Sequence, residues 1–401
     1  MRAFLFGLLV AGLVFWWSGW LTGDKVVAAG DGAEAADPGP RTGVQLDSLL
    51  NGGTATPSAA PAPAPAQPLR LTSAEPVERQ PAVDDLLVRL QQREPAAIAA
   101  AWAACGRGAG ADAERLLGAL RPAGDDFGSM LAALGPDNSF LHSAEGRGLA
   151  AKVAAMAFAM GDADATTAGT QLLLLMLKGR ILREDTAQRA LVDDVYKQHR
   201  VRVDRWLCDP GNVAGARSYT VAKGDSLARI AGKFRKEGLR VEEGTLAILN
   251  RIHNPNAIQV GQKIKVPAAP IHGIVEKRSF SLAVFVGDHL LRLYWVGHGE
   301  HDRTPVTEFT IGVKQPRPDW TAPNGQVHAY GSAGNILGEY FIKFLNDTYI
   351  GFGAHGTPMP ETICTMSSMG CIRMLAPDIE ELFKLLPMGA KVVVRATESL
   401  R

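Results

Sequence analysis

A tract rich in Ala, Pro and Gly divides the 401-residue sequence into two unequal parts. The tract, residues 26–82, contains 9 of the 24 prolines and few large apolar side chains. Such a segment buries too little apolar surface to offset the conformational entropy that is lost on ordering. It therefore predicts a disordered linker, extended where Ala and Pro alternate, with the folded domains on its C-terminal side.

Residues 1–25 have the composition of a membrane segment. Ala3–Leu21 run for 19 positions without a charge, and at about 1.5 Å per residue this nearly matches a hydrocarbon core of about 30 Å. Arg2 lies at one end, and three tryptophans between residues 16 and 20 lie at the other, where aromatic rings favour the headgroup region. We expect an uncleaved anchor with the rest of the chain outside the cytoplasm; a cleaved signal peptide is the alternative.

The charge balance and the cysteine pattern exclude other classes of protein. The sequence has 42 Lys and Arg residues against 41 Asp and Glu residues, which gives a net charge of +1. This balance supplies no electrostatic reason to bind nucleic acid, because such binding rests on neutralised phosphates. The cysteines and histidines lack the close pairs that are typical of a structural zinc site. We therefore expect no nucleic acid partner, no metal and no cofactor.

Residues 83–210 predict an α-helical domain, to which the sequence assigns no role. Gly148–Met160 and Gln171–Leu182 combine helix-forming residues with helical length. The second segment is apolar on every side but too short to cross a bilayer, so we expect it to be buried in a helical bundle. Cys105 and Cys208 could close a disulfide outside the cytoplasm, or could be two separate buried thiols. The sequence leaves both states open.

Residues 218–267 predict a compact unit with the element order β-α-α-β. A short strand is followed by Gly224, Asp225 and Ser226, which supply a turn and a helix N-cap. Apolar residues then recur at helical spacing, a second short helix follows, and a closing strand ends at Pro267. About 50 residues of this kind are enough for a minimal core.

The motifs YTVAKGDSLARIA and NPNAIQVGQKIKVP in this unit resemble the LysM module over its whole length. The resemblance implies binding to the N-acetylglucosamine-containing glycan of peptidoglycan or chitin, in a shallow groove between two loops. In this sequence Gly224, Asp225 and Ser226 form the first loop, and the second runs from Asn254 to Ile258. These residues are the predicted glycan contacts, and each also has a structural interpretation as a turn or cap residue.

Beyond this unit the pattern becomes strand-like. FSLAVFV and HLLRLYWV flank Gly287-Asp288 and predict a β-hairpin, and EFTIGV predicts a further strand. Near the end of the region His355 precedes Cys371 by 16 positions, and Gly370 lies directly before the cysteine. A cysteine nucleophile needs a histidine to take its proton and backbone N–H groups to stabilise an oxyanion. The residue types meet these needs, although the spacing by itself is a weak indication.

Four motifs in order, APNGQVHAYG, NILGEYFIKF, GFGAHGT and SSMGCIRM, make residues Ser279–Arg395 similar to the L,D-transpeptidase catalytic domain. The resemblance implies a mainly-β catalytic domain at residues 274–396 that acts on the stem peptides of peptidoglycan. Cys371 then takes the role of nucleophile. His355 takes the role of general base and later that of general acid.

The same resemblance implies roles for four further residues. The main-chain carbonyl of Gly356 would orient the histidine ring, and the backbone N–H groups of Gly370 and the cysteine would stabilise the tetrahedral oxyanion. Arg373 and Ser368 would contact the substrate. For Arg373 a surface salt bridge is an equal alternative.

Met369 departs from the pattern of the family, which has histidine directly before the Gly-Cys pair. Because His355 still supplies a base, we expect activity to survive; the departure bears on the pKa of the Cys371 thiol and on the orientation of bound substrate. A degenerate domain that only binds is the alternative. Cys364 is expected to be a packing residue, with a redox partner or half of a zinc site as the other interpretations.

These features together predict a multidomain protein of the cell envelope, either anchored to the inner membrane or secreted. The expected reaction releases D-alanine from a tetrapeptide stem and transfers the acyl group to an amine, which gives a 3-3 cross-link or an anchored protein, or to water, which is L,D-carboxypeptidase activity. The expected partners are stem peptides, glycan strands and the membrane. A non-catalytic wall-binding protein is the alternative, and a hydrolase ranks lower because metal or paired-carboxylate signatures are missing.

Overall fold

A computed structural model describes residues 83–92, separate positions between 94 and 119, residues 144–161 and residues 163–396. The predicted fold class is confirmed: helices come first, a small β-α-α-β unit follows, and a mainly-β domain comes last. The predicted membrane segment, the linker and Cys105 lie outside the described residues. Among the helices that the structure describes, none has both the length and the apolar character needed to cross a membrane.

Four helices of the N-terminal region are described: α1 Val83–Gln91, α2 Ala144–Met160, α3 Ala163–Met176 and α4 Thr186–Trp206. Small residues let α2 and α3 approach closely, since a Cβ atom on Gly169 would lie 2.9 Å from the Phe158 ring. The helix α3 begins at Ala163, before the predicted segment, and ends at Met176 instead of Leu182. The reason is tertiary: the Ile181 N–H donates to the carbonyl of Arg278 at 3.2 Å, so the chain leaves the helix to reach the β domain.

The β-α-α-β unit consists of β1 Ala216–Thr220, α5 Leu227–Lys236, α6 Glu243–Leu249 and β2 Lys263–Pro267. The strands β1 and β2 pair antiparallel. Ser226 is the N-cap of α5 and accepts a hydrogen bond from the Arg229 N–H at 3.2 Å, as the turn sequence predicts. The predicted apolar face of α5 is buried in the core of the unit, with Leu227, Ile230, Ala231 and Phe234.

The β domain, residues 271–395, is built around an eight-stranded sheet. Its strands are β3 Ile271–Glu276, β4 Ser281–Val286, β5 His289–Trp295, β7 Glu308–Pro316, β10 Tyr340–Leu345, β11 Gly353–Gly356, β13 Ile372–Met374 and β14 Lys391–Arg395. Their order in the sheet is β13-β11-β10-β7-β14-β3-β4-β5. Two short pairs lie outside the sheet, β6 His298–Gly299 with β12 Met366–Ser368 and β8 Trp320–Thr321 with β9 Val327–His328. The helix α7 Ala376–Leu385 precedes β14. The predicted hairpin is confirmed, because β4 pairs with β5 across Gly287, which has a φ of +57°.

The strand β4 is buried along its whole length because both of its faces are covered. Residues Ala283 and Phe285 pack into the core of the helical region, whereas Leu282 and Val284 pack into the core of the β domain. Side chains that alternate between two apolar cores explain why this strand has an almost continuous apolar sequence. The helical region therefore forms one wall of the β domain.

Polar contacts fix α4 on β5. The Trp295 indole N–H donates to Asp193 at 2.7 Å, and the Leu293 N–H donates to the Tyr196 hydroxyl at 3.1 Å. The ring of His199 lies buried between α3 and β5, where its Nε2–H donates to the carbonyl of Leu290 at 3.1 Å. These contacts hold the helical region against the edge strand of the sheet.

The β-α-α-β unit is docked on the β domain through α6. The buried Thr245 hydroxyl donates to the carbonyl of Leu385 at 3.0 Å. Glu242, at the start of α6, accepts hydrogen bonds from Lys314 at 2.5 Å and from the Met388 N–H at 2.8 Å. A Cβ atom on Gly244 would lie 2.4 Å from the carbonyl oxygen of Lys384, so the two backbones touch.

Candidate active site

The sheet brings the predicted nucleophile and base to one face. The strands β11 and β13 pair in parallel, and His355 lies opposite Arg373. Cys371 lies directly before β13, two residues from Arg373, and residues two apart along an extended chain point to the same side. The parallel pairing thus brings together two side chains that are 16 positions apart in the sequence.

The His355 ring is buried, with an exposed fraction of 2%. Its Nδ1 lies 2.5 Å from the carbonyl oxygen of Gly356, which identifies Nδ1 as the protonated nitrogen and leaves Nε2 as the acceptor. Burial lowers the pKa of His355 to about 4; the Gly356 hydrogen bond opposes this shift, and the charge of Arg373 adds to it. The ring is therefore neutral at neutral pH and has the tautomer that a general base requires.

Cys371 is partly exposed, and its thiol donates a long hydrogen bond of 3.7 Å to the carbonyl of Gly351. The other two described cysteines are both 2% exposed. Burial raises the pKa of the Cys208 thiol to about 11, and it also raises the pKa of Cys364. Among the described cysteines, Cys371 has the accessibility that a nucleophile needs.

The turn before Cys371 is held by hydrogen bonds inside the protein. The Ser368 hydroxyl donates to the carbonyl of Cys371 at 2.6 Å and accepts from the Gly370 N–H at 3.1 Å. The carbonyl of Gly370 accepts from the Thr304 hydroxyl at 2.7 Å. Gly370 has a φ of +139°, and a Cβ atom there would lie 2.7 Å from the Phe352 ring. Glycine is therefore required at this position on two counts.

These contacts differ from two of the predicted roles. The Gly370 N–H is turned toward Ser368, so it does not point at an oxyanion in this arrangement. Ser368 is 2% exposed and uses its hydroxyl within the turn, and its contact with substrate stays a prediction. Sequence reasoning missed Thr304, because no local pattern links it to a residue that lies 66 positions further along the chain.

Arg373 places a cation next to the cysteine. It is 8% exposed, and its guanidinium donates to the Ser367 hydroxyl at 3.2 Å. Burial lowers the pKa of Arg373, and the nearby Cys371 and Glu300 oppose this shift. Within the described part of the chain Arg373 makes no ion pair, so the alternative of a surface salt bridge is not seen there.

Met369 and Cys364 precede Cys371 by two and seven positions in the sequence. Met369 is half-buried and places a thioether directly before Gly370. Cys364 packs with Phe280 and Ile363 in a small apolar cluster, as expected of a packing residue, and has a φ of +59°. No group of three or more His, Cys, Asp or Glu side chains among the described residues is arranged to hold a metal ion.

The predicted glycan loops lie side by side in the β-α-α-β unit. Val221 precedes the first loop and exchanges backbone hydrogen bonds of 2.9 Å with Gly261 and Gln262, which follow the second. In the first loop Gly224 has a φ of +85°. In the second loop Asn254 caps a short 3₁₀ turn, and the half-buried Ile258 packs on the core.

Asp225 has a structural role in the first loop. Its carboxylate accepts hydrogen bonds from the Tyr219 hydroxyl at 2.6 Å, the Ala222 N–H at 2.9 Å and the Lys233 ammonium at 3.0 Å. These donors, Tyr219 foremost, lower the pKa of Asp225 to about 2. With its acceptors occupied, this carboxylate fixes the loop, and its predicted contact with glycan stays a prediction.

Two models of known domain families match this chain. A model of the YkuD L,D-transpeptidase catalytic domain matches residues 270–394, and a model of the LysM domain matches residues 219–267. YqjB of Bacillus subtilis, whose name assigns it to the L,D-transpeptidases, is 35% identical over 124 residues, which are 30% of this chain and 69% of YqjB. YkuD of Bacillus licheniformis, with a name of the same kind, is 28% identical over 183 residues, 44% of this chain and 97% of that protein.

Solved structures match over about a third of the chain. An L,D-transpeptidase from Mycobacterium smegmatis is 18% identical with a TM-score of 0.27, and the match covers 34% of this chain and 65% of that one. An L,D-transpeptidase from Stackebrandtia nassauensis is 20% identical with a TM-score of 0.25, over 33% of this chain and 58% of that one. The sequence relationship to YqjB spans more than two thirds of that protein. On that relationship, this chain belongs to the L,D-transpeptidase family, with a LysM domain before its YkuD catalytic domain.

Proposed function

We propose that this protein is a peptidoglycan L,D-transpeptidase in which Cys371 attacks a tetrapeptide stem. One observation carries the proposal: the neutral, oriented His355 lies opposite Arg373 in the sheet, and the partly exposed Cys371 comes two residues before Arg373. A thiol next to an imidazole whose Nε2 can take its proton is the minimal apparatus of a cysteine acyltransferase.

In the first step the Cys371 sulfur attacks the carbonyl that joins the third stem residue to the terminal D-alanine. The thiol proton passes to Nε2 of His355, which the Gly356 carbonyl holds in position. The carbon–nitrogen bond then breaks, His355 returns the proton to the leaving amine, and the products are a thioester and free D-alanine. Because burial lowers the pKa of His355 to about 4, the ring is neutral at neutral pH and its Nε2 can accept the thiol proton.

In the second step an amine resolves the thioester. The side-chain amine of a third-position diamino acid gives a 3-3 cross-link, a protein lysine gives an anchored protein, and water gives L,D-carboxypeptidase activity. In each case His355 takes a proton from the acceptor and delivers a proton to the departing Cys371 sulfur. The cation of Arg373, beside the sulfur, would bind a carboxylate of the acidic stem peptide.

The domain arrangement suits a polymeric substrate. Because α6 of the LysM domain is docked on the catalytic domain, glycan bound between the LysM loops lies at a fixed distance from Cys371. Such tethering raises the effective concentration of stem peptides without adding a catalytic contact. These wall-directed domains act outside the cytoplasm, and residues 1–25 would anchor them to the inner membrane.

Cysteine variants test the proposed function. With tetrapeptide muropeptides as substrate, Cys371→Ser should reduce turnover to below about 10⁻³ of the unsubstituted rate, because the nucleophile is lost. Cys364→Ala is the matched control: its thiol packs in an apolar cluster, so turnover should stay within about threefold. Mass spectrometry of the muropeptide products measures both. Persistent turnover by Cys371→Ser would contradict the assignment of the nucleophile.

A wall-binding protein without catalysis is the second candidate. Met369 in place of the family's histidine favours it, as does the Gly370 N–H that is occupied by Ser368. The two candidates differ in a direct way, since only the enzyme forms an acyl adduct while both bind glycan. If the folded protein binds glycan but forms no adduct, Met369→His is the first change to make, and recovered activity would identify a degenerate catalytic site.

A further inference from the structure

We propose that Thr304 is a positioning residue that aims the Cys371 N–H at the oxyanion. The inference rests on the proposed function and goes beyond it, since it identifies the residue that holds a backbone donor in position for the reaction. It is carried by a hydrogen bond between two buried groups: the hydroxyl of Thr304, a residue that is 2% exposed, and the carbonyl of Gly370.

The direction of this hydrogen bond is fixed by chemistry. The Thr304 hydroxyl lies 2.9 Å from the Gly299 N–H, which can only donate, and 2.7 Å from the Gly370 carbonyl, which can only accept. The single hydroxyl proton therefore points at the Gly370 oxygen. Both contacts of this hydroxyl are buried.

The geometry of the peptide unit carries the effect to Cys371. The carbonyl of Gly370 and the N–H of Cys371 belong to one planar trans peptide, in which they point in opposite directions. By holding the carbonyl oxygen, Thr304 fixes the plane of this peptide and with it the direction of the Cys371 N–H. The N–H of Gly370 is directed at Ser368.

The segment that carries Thr304 is itself fixed to the active site. Gly297 exchanges backbone hydrogen bonds of 2.9 and 2.8 Å with Arg373. A Cβ atom on Gly299 would lie 3.0 Å from the Cα of Gly370, so the two backbone segments are in direct contact. Thr304 is therefore held at a constant distance from the turn, as a positioning residue must be.

The test separates oxyanion stabilisation from thiol reactivity. Acylation by a tetrapeptide places negative charge on the carbonyl oxygen, whereas alkylation by iodoacetamide displaces iodide from carbon and forms no oxyanion. A loss of the oxyanion donor costs about 10²–10³ in rate. A donor that is misaimed but still present should cost about 10- to 100-fold, and in acylation alone.

We would measure both rates on the full-length chain with Thr304→Val and Thr304→Ser. Intact mass reports acylation by tetrapeptide muropeptide, and peptide mapping reports alkylation of Cys371. Thr304→Val keeps the shape of the side chain and removes the hydroxyl, so acylation should fall by about 10- to 100-fold, with alkylation changed by less than about twofold. Thr304→Ser retains the hydroxyl and should restore acylation to within about threefold.

Equal acylation rates of Thr304→Val and the unsubstituted chain would overturn this inference and leave the proposed function standing. A parallel fall in acylation and alkylation would also overturn it, because Thr304 would then act on the thiol or on the whole turn. If Thr304→Val does not fold, the comparison passes to Thr304→Ala and Thr304→Ser, and equal acylation rates in these two would overturn the inference. If the unsubstituted chain is not acylated, the proposed function fails first and this inference fails with it.

Discussion

At the residue scale, the candidate site depends on where two protons lie. The Nδ1 proton of His355 is held by the Gly356 carbonyl, and the Cys371 thiol proton is directed at the carbonyl of Gly351. The His355 ring is therefore neutral before substrate binds, with Nε2 as its acceptor. The cause is the burial of the ring, which penalises its charged form.

The first prediction at this scale concerns pH. Because burial lowers the pKa of His355 from 6.5 to about 4, the ring stays a base until the pH falls through about 4. The acid limb of kcat/KM for acylation should therefore lie near 4 and not near 6.5. The same depressed pKa removes folding stability as the pH falls from 6.5 toward 4, since the unfolded chain takes up the proton first.

Acylation assays quenched at fixed times between pH 3.5 and 8 would locate the acid limb of kcat/KM. Circular dichroism at each pH would show that the chain is folded. An acid limb near 6.5 in the folded protein would contradict the lowered pKa of His355.

Sequence reasoning reached some of the site residues and missed others for physical reasons. His355, Gly356, Gly370 and Cys371 are close in sequence and form motifs that can be compared between proteins. The contact of Thr304 with Gly370 depends on how a distant segment folds back over the turn. No local periodicity records such a contact.

At the element scale, α6 connects the LysM domain to the catalytic domain. Gly244 lies within this helix, and the backbone of Lys384 comes so close that a Cβ atom would lie 2.4 Å from its carbonyl oxygen. Thr245 and Glu242 add hydrogen bonds on either side of this contact. The two domains can dock this closely because Gly244 has no side chain, and the polar groups around it add hydrogen bonds.

A pair of glycine variants tests this docking. Gly244→Ala should separate α6 from the catalytic domain and increase hydrogen exchange at the Met388 amide, which donates to Glu242 in the docked state. Gly232→Ala is the matched control, because Gly232 lies in α5, where the nearest atom to an added Cβ is a flexible arginine nitrogen at 3.7 Å. It should stabilise α5 by about 1 kcal/mol.

Hydrogen exchange with mass spectrometry and thermal unfolding would compare these two variants. Unchanged exchange at Met388 in Gly244→Ala would show that the contact does not hold the domains together.

The elements that the sequence predicted well are those with local causes. The turn at Gly287-Asp288 determines the β4–β5 hairpin, and the Ser226 cap determines where α5 begins. The end of α3 at Met176 has a distant cause, because the following residues reach the carbonyl of Arg278. A helix-forming sequence therefore stops being helical where tertiary contacts favour another path.

At the scale of the whole molecule, the helical region acts as a wall of the catalytic domain. Alternate residues of β4 enter two separate cores, one of them shared with the helical region. At the same interface Arg292, which is buried, pairs with Asp204 of α4 at 3.1 Å and with Glu381 of α7 at 2.8 Å. One arginine thus connects the helical region, the sheet and the helix that follows Cys371.

The central claim is that Cys371 becomes acylated by a peptidoglycan stem, and one measurement addresses it directly. The full-length chain would be mixed with a purified tetrapeptide muropeptide, and intact mass, the site of modification and released D-alanine would be followed together. The account predicts an adduct on Cys371 with D-alanine released in equal amount, followed by 3-3 dimers when an amine acceptor is present. A folded chain that binds glycan but shows neither adduct nor D-alanine would contradict it.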